Sequence, residues 1–311
     1  TCTTRTTGPG RAYTARRGSV GCAGDRREPA SGSLLATVRV PCNNTRELFA
    51  EEEITMTVKR EFPILEFDPA SPAKIQPSSI IRKRDVPKHC VITFFGDVIG
   101  KMLSEGRLSK IAEFHTATVV LPIYRTEYSG KPIGIVQGYL GAAGSGGQLE
   151  ELIAMGFARF IVCGAAGVLQ KGVQVGHLVV PYSAIRDEGL SYHYLEPSRE
   201  VECSKQALKC ITDYLEINRI PFIKAKTWTT DAFYRETEDK IALRISEGCV
   251  TVEMEAAAFF AVSKFRNVVL GQILHGGDDL SGIEWDARNW ASREDIRANL
   301  VDLSIAICLE L

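Results

Sequence analysis

Apolar and polar positions alternate with two different periods along this chain, and the switch between them marks out the elements. At 116–124 and 132–136 β-branched and aromatic residues run in short extended stretches, joined through Ser129-Gly130, a turn signal that predicts a hairpin. Positions 160–163, 175–180, 222–227, 250–252 and 268–274 read as further, mostly buried strands. Helical spacing predicts helices over 148–155, 204–218, 255–264 and 293–309. In the last of these Ile296, Leu300, Leu303 and Ile307 share one face. Strands and helices in alternation predict an α/β fold of three layers, with a central mixed, mostly parallel sheet flanked by helices.

Residues 1–55 break this texture. The first part is rich in Thr, Gly and Arg (Arg5, Arg11, Arg16, Arg17), with no acidic residue before Asp25. Such a segment cannot bury enough apolar surface to offset its ordering entropy, so a disordered leader is expected over 1–55 and a single folded domain over 56–311. The leader has the composition of a transit peptide; the competing reading is an artefactual extension, since the first methionine is Met56. A proline-punctuated stretch follows (Pro63, Pro69, Pro72, Pro77, Pro87) and reads as extended chain.

Composition narrows the function classes. The 311 residues are 45% hydrophobic and 24% charged, with a formal net charge of −1. That balance argues against nucleic-acid and membrane-surface partners, which need concentrated positive charge. No apolar run approaches the roughly 20 residues of a membrane span. Nine cysteines without a Cys-x-x-Cys pair read as reduced thiols. The expected setting is therefore cytoplasmic, or organellar if the leader is a transit peptide. No histidine, cysteine and carboxylate spacing suggests a metal.

Chemistry concentrates in a few segments. A glycine-rich run, Gly138 to Gly147, lies between a strand and a helix, and such runs present backbone N–H groups to anions or simply allow close packing. The acidic residue that a dinucleotide site would need after the next strand is missing. A second small-residue turn is expected at Gly164-Ala165-Ala166-Gly167. Glu253 and Glu255 stand where an apolar strand gives way to an apolar helix, an expensive place for charge. They either serve a site or cap the helix N-terminus. Asp278 and Asp279 end another strand, where α/β folds place ligands.

Taken together, from about residue 90 onward, the chain resembles the purine nucleoside and uridine phosphorylase superfamily. The residues that carry the resemblance are the small-residue loop before Leu149-Glu150-Glu151-Leu152, Gly164-Ala-Ala-Gly167, Val175-Gly176-His177, Asp231-Ala-Phe233-Tyr234 and Val252-Glu253-Met254-Glu255. The resemblance implies cleavage of a nucleoside N-glycosidic bond without an organic cofactor or metal, with inorganic phosphate as co-substrate and a homo-oligomeric state, dimer or hexamer. It implies ribose contacts at Glu255, Met254 and Glu253, base contacts at Phe233, Tyr234 and Arg235, and Asp278 as the acid toward the base. Gly141, Gly164, Ala165 and His275 are the candidates for an anion loop.

The chain departs from the family pattern at the phosphate pocket. Val162, Ala165, Gly100 and Val119 stand where phosphate-binding arginines and a hydroxyl are usual. Without them a dianion loses its charge-assisted hydrogen bonds. Hydrolysis by water therefore stays open beside phosphorolysis, as does a non-catalytic nucleoside binder; a dehydrogenase is a distant third. After Tyr234 the stretch Arg235-Glu236-Thr237-Glu238 does not meet the glutamine-and-arginine pattern with which uridine-cleaving members read uracil, although Arg235 could serve a similar end, and this leans the base weakly toward purine.

Overall fold

The structure is a computed structural model, and it describes residues 57–69 and 72–311. The expected leader at 1–55 lies outside the described residues. In the proline-rich lead-in, Pro63–Leu65 forms a single 3-10 turn and Pro77–Ile80 a short helix, α1. Both begin with proline where its missing N–H costs nothing, so the stretch is less extended than proline content predicts.

The remaining elements follow in order: β1 (His89–Thr93), α2 (Gly96–Ser104), β2 (Ser109–His115), β3 (Val120–Tyr128), β4 (Lys131–Gln137), α3 (Ala142–Met155), β5 (Arg159–Val168), β6 (Leu178–Asp187), β7 (Glu200–Glu202), α4 (Lys205–Ile217), β8 (Phe222–Thr230), α5 (Glu238–Ser246), β9 (Cys249–Glu253), α6 (Ala256–Phe265), β10 (Val269–Asp279) and α7 (Glu294–Cys308). They build a 10-stranded mixed sheet in the order β10-β6-β8-β9-β5-β1-β4-β3-β2, with β7 beside β6. Its long ladders, β5–β10 and β6–β8, are parallel, as are β1–β4, β1–β5 and β8–β9. The predicted hairpin is β3–β4, and its turn residues Ser129 and Gly130 both take positive φ. Because β5 also pairs with β10, the strands β5, β9, β8, β6 and β10 close into a ring.

Helices cover both faces. On one, α3 and α6 pack Leu149, Leu152, Phe259 and Phe260 against Cys90, Ile92, Phe160 and Val162 of β1 and β5. On the other, α2, α4 and α7 pack Met102, Ile211, Leu300 and Ile305 against Val91, Ile161 and Cys163. Alternate residues of β1 and β5 thus feed opposite layers, the mark of a doubly covered sheet. The apolar α6 is buried on all sides from Ala256 to Ser263.

Two glycine segments differ from the expectation. Helix α3 starts at Ala142, so Gly144, Gly146 and Gly147 are helical rather than loop. Their propensity cost of about 1 kcal/mol each is overridden by close approach: a Cβ on Gly146 would sit 1.9 Å from Leu190 Cδ2. The segment Gly164-Ala165-Ala166-Gly167 is no turn but the second half of β5, with Gly167 paired to Val252. A side chain on Gly167 would strike Leu280 and Val252.

Candidate active site

The parallel strands β8 and β9 bring Thr229 level with Glu253, and Gly167 of β5 lies beside Val252. This gathers the ends of β8, β9 and β10 around the start of α6. At that junction the two glutamates separate in role. Glu253 is 7% exposed and fully engaged: Thr229 Oγ1 donates to its Oε1 at 2.6 Å, and the Glu255 and Ala256 N–H groups donate to its Oε2 at 2.8 and 2.6 Å. Thr229 Oγ1 also accepts the Ala257 N–H at 3.0 Å. Glu253 therefore caps α6.

Glu255 is different. It is 5% exposed, and its Oε1 accepts the Gly141 N–H at 2.7 Å across the mouth of α3. Gly141 has φ +86°, a conformation that leaves its N–H facing the carboxylate. That N–H was an anion-loop candidate, and it is committed to a protein carboxylate instead. Burial, then the neighbouring Glu253 charge, push the Glu255 carboxyl well above the ordinary range, and burial pushes Glu253 the same way. Asp231 adds to the negative potential at Glu255, while its own Oδ2 accepts the Gly189 N–H at 2.8 Å. Met254 is half-buried between the two glutamates.

The aromatic pair follows Asp231. Phe233 and Tyr234 lie 4.0 Å apart between ring centroids, tilted by 39°, and are 46% and 88% exposed, an exposed aromatic surface. Arg235 is exposed on the same 3-10 turn, and Glu236 ends it. Asp278 lies at the end of β10, where the Trp285 indole N–H donates to its Oδ2 at 2.7 Å. Its Oδ1 is 3.7 Å from where a Gly167 side chain would begin. Next to it Asp279 is paired with Arg288, whose other amino group donates to the Val173 carbonyl. Arg288 and Asn289 both take positive φ, so this salt link helps hold the segment that carries Trp285.

The other anion-loop candidates do not form a cationic pocket. His275 is fully buried between Phe95 and Trp290; its Nδ1 lies 2.8 Å from the Gly276 carbonyl and its Nε2 has no partner. Burial lowers its pKa and so disfavours the charged form that would hold an anion. The Phe94 ring is wedged between Gly138 and Gly164, within 3.1 Å of where their side chains would start. Ala165 is in the β5–β10 ladder opposite His275. Lys101 is paired with Glu294, Arg125 with Glu127 and Arg297 with Asp97.

A cavity of about 790 Å³ lies elsewhere, where α7 meets the starts of β6 and β8, and His177 is the single ionisable side chain in its mostly aliphatic wall. The carboxylate and aromatic residues are at the other end of β8. Sequence reasoning missed Thr229, Glu236 and Trp285 as members of this group. A tryptophan in a short polar stretch after an Asp-Asp pair was the available signal for Trp285; Thr229 and Glu236 gave none beyond proximity to the motif.

The model of the phosphorylase superfamily matches residues 88–310. Among curated relatives, the guanosine phosphorylase of Halorubrum lacusprofundi is 26% identical over 204 residues, which cover 64% of this chain and 81% of that protein. Among solved structures, the uridine phosphorylase of Vibrio fischeri ES114 superposes with a TM-score of 0.62 at 20% identity, covering 78% of this chain and 100% of that one. A futalosine hydrolase mutant of Helicobacter pylori superposes with a TM-score of 0.59 at 17% identity, covering 73% of this chain and 100% of that one.

Proposed function

Since the chain belongs to the phosphorylase superfamily, we propose that it cleaves the N-glycosidic bond of a nucleoside, with a purine as the preferred base. The observation that carries this reading is the Glu255 carboxylate, 5% exposed at a strand–helix junction and bound to a backbone N–H rather than to a cation. A carboxylate so placed accepts the ribose 2′- and 3′-hydroxyls and stabilises the positive charge that develops at C1′ as the bond breaks. Met254 packs on the sugar. The Phe233–Tyr234 face takes the base, with Arg235 at its edge, and Asp278 is the acid end of the site. Glu253 acts through α6, holding the Glu255 backbone N–H.

Phosphate is the acceptor in this reading, on the strength of relatives named guanosine and uridine phosphorylase. A specific observation favours a second reading, water. The Phe94 ring occupies the space between Gly138 and Gly164, Val162 is a buried core residue, and Gly141 has its N–H on Glu255. A dianion would find few donors there. The test is release of free base from a panel of purine and pyrimidine nucleosides with and without inorganic phosphate, with the sugar product identified by NMR. Phosphate-dependent release with a sugar 1-phosphate supports the first reading. Release indifferent to phosphate, with free ribose, supports the second. Binding of nucleosides without release of any base rejects both and leaves a binder.

A further inference from the structure

Helix α5 follows the aromatic turn directly and is attached to the sheet mainly through charge. Backbone bonds tie turn and helix together: the Glu236 N–H donates to the Phe233 carbonyl at 3.3 Å, the Thr237 N–H to Arg235 at 2.9 Å and the Ile241 N–H to Thr237 at 2.9 Å. An amphipathic helix normally docks by burying an apolar stripe. Here Leu243 and Ile245 are exposed and Ile241 is only partly buried against the Trp228 cluster. Among the described residues of α5 the one fully buried side chain is the charged Arg244. It reaches the end of β6, where its Nη2 donates to Asp187 Oδ2 at 3.1 Å. Lys240 Nζ donates to the same oxygen at 3.1 Å, and the buried Trp228 indole N–H of β8 does so at 3.0 Å. The Arg244 guanidinium also lies 5.2 Å from the centroid of the Trp228 ring, and its Nη1 donates to Glu247 Oε2 at 2.9 Å. Arg199, just before β7, donates to the other Glu247 oxygen at 2.6 Å.

We propose that Asp187 and Arg244 form a latch that docks α5 on β6 and β8 and thereby fixes the Phe233–Tyr234 turn as a surface for the base. Both are positioning residues, acting on the base through the turn. This rests on the nucleoside-cleavage reading of the site. The turn has two anchors. On the strand side the Thr230 hydroxyl accepts the Ala232 N–H at 3.2 Å, and Thr230 is itself level with Asp187 in the β6–β8 ladder. On the helix side the anchor is α5, whose place on the sheet depends on three donors converging on one carboxylate oxygen. Charge-assisted bonds of this kind are about twice as strong as neutral ones. Removing one partner of a buried ion pair is correspondingly costly. Because α5 buries few apolar groups, little else offsets that loss, and the undocked fraction of α5 grows. A turn correctly placed in only part of the molecules lowers the apparent nucleoside affinity by that fraction. Glu255, held by the Gly141 N–H, is outside this network, so bond cleavage keeps its geometry in the molecules that bind.

Amide hydrogen exchange of the ligand-free protein reads the latch, and base release from inosine, guanosine, adenosine and uridine reads its use. In Arg244→Met, which keeps the aliphatic stem, exchange over α5 is expected to accelerate about tenfold, the equivalent of one charge-assisted hydrogen bond, with β5 and α6 unchanged. KM for the nucleosides cleaved should rise about tenfold while kcat stays within about twofold of the wild type. Arg244→Lys should recover part of the KM. Asp187→Asn keeps the side-chain shape, should move both readings in the same direction, and carries the same comparison if Arg244→Met does not fold. Unchanged α5 exchange in a folded variant overturns the latch. Faster exchange with KM at the wild-type value, or a loss carried by kcat alone, overturns the positioning role. Each of these leaves nucleoside cleavage standing. A wild type that releases no base from any of the four nucleosides removes the cleavage reading, and the positioning role with it.

Discussion

Replacing Glu255 by glutamine should make the protein more stable and less active, and the gain should depend on pH. The carboxyl is 5% exposed, faces the equally buried Glu253, and has a single backbone donor on Oε1. Burial and that neighbour raise its folded-state pKa above its unfolded value. A raised pKa means the native state binds the proton more tightly, so the group's contribution is fully present below the unfolded pKa and is lost as pH rises through the folded one. Ionising a carboxyl this buried costs the folded state about 3 kcal/mol, lost as pH rises through its raised folded-state value. Glutamine keeps the shape and the oxygen that accepts from Gly141, and it carries no charge to bury. Thermal unfolding of the two proteins from pH 4.5 to 9 should give coincident midpoints at the acid end. At the alkaline end the variant should unfold about 6–12 °C higher, at about 2–4 °C per kcal/mol for a domain of this size. A variant that is equally or less stable at pH 8, or an offset that does not change with pH, would refute the reasoning that this charge is held in place against stability.

Three further outcomes follow from the same geometry. Thr229→Val leaves a Glu253 oxygen and the Ala257 N–H without partners in a buried setting, and should cost about 2–4 kcal/mol in chemical denaturation. Gly276→Ala places a Cβ 2.6 Å from the Gln174 backbone carbonyl, which cannot rotate away, so a loss of about 2–3 kcal/mol is expected from overpacking. Trp285→Phe removes the one indole donor to Asp278 from a side chain that is 65% exposed; kcat/KM for base release should fall about tenfold with the unfolding midpoint unchanged.

The sequence made some of this legible and hid the rest for identifiable reasons. The hairpin over Ser129-Gly130 and the helix carrying Ile296, Leu300, Leu303 and Ile307 were readable because local turn chemistry and periodicity set them. The Glu253–Glu255 junction was also readable, and the capping reading holds for Glu253, whose carboxylate accepts the Ala256 N–H, while the Glu255 carboxylate accepts the Gly141 N–H. The strand β1 was missed because its five residues, nearly all buried, have no alternation to detect. Gly144 to Gly147 read as loop because glycine disfavours helix, yet the approach of Leu190 to Gly146 is a tertiary constraint that no local window contains. The same holds for Gly164 and Gly167, placed in a strand by Phe94, Leu280 and Val252 from distant segments. Phe94 was invisible as an obstacle to an anion for that reason.

The central claim, that the junction of β9 and α6 is where a nucleoside is split, is tested most directly by measuring free-base release by the wild type and by Glu255→Gln across purine and pyrimidine nucleosides, alongside calorimetric binding of the same compounds. The account predicts base release by the wild type, a loss of about 10²-fold or more in kcat for the variant as transition-state charge stabilisation is removed, and weaker ribonucleoside binding. Undiminished release by Glu255→Gln, or no release by the wild type, would contradict it.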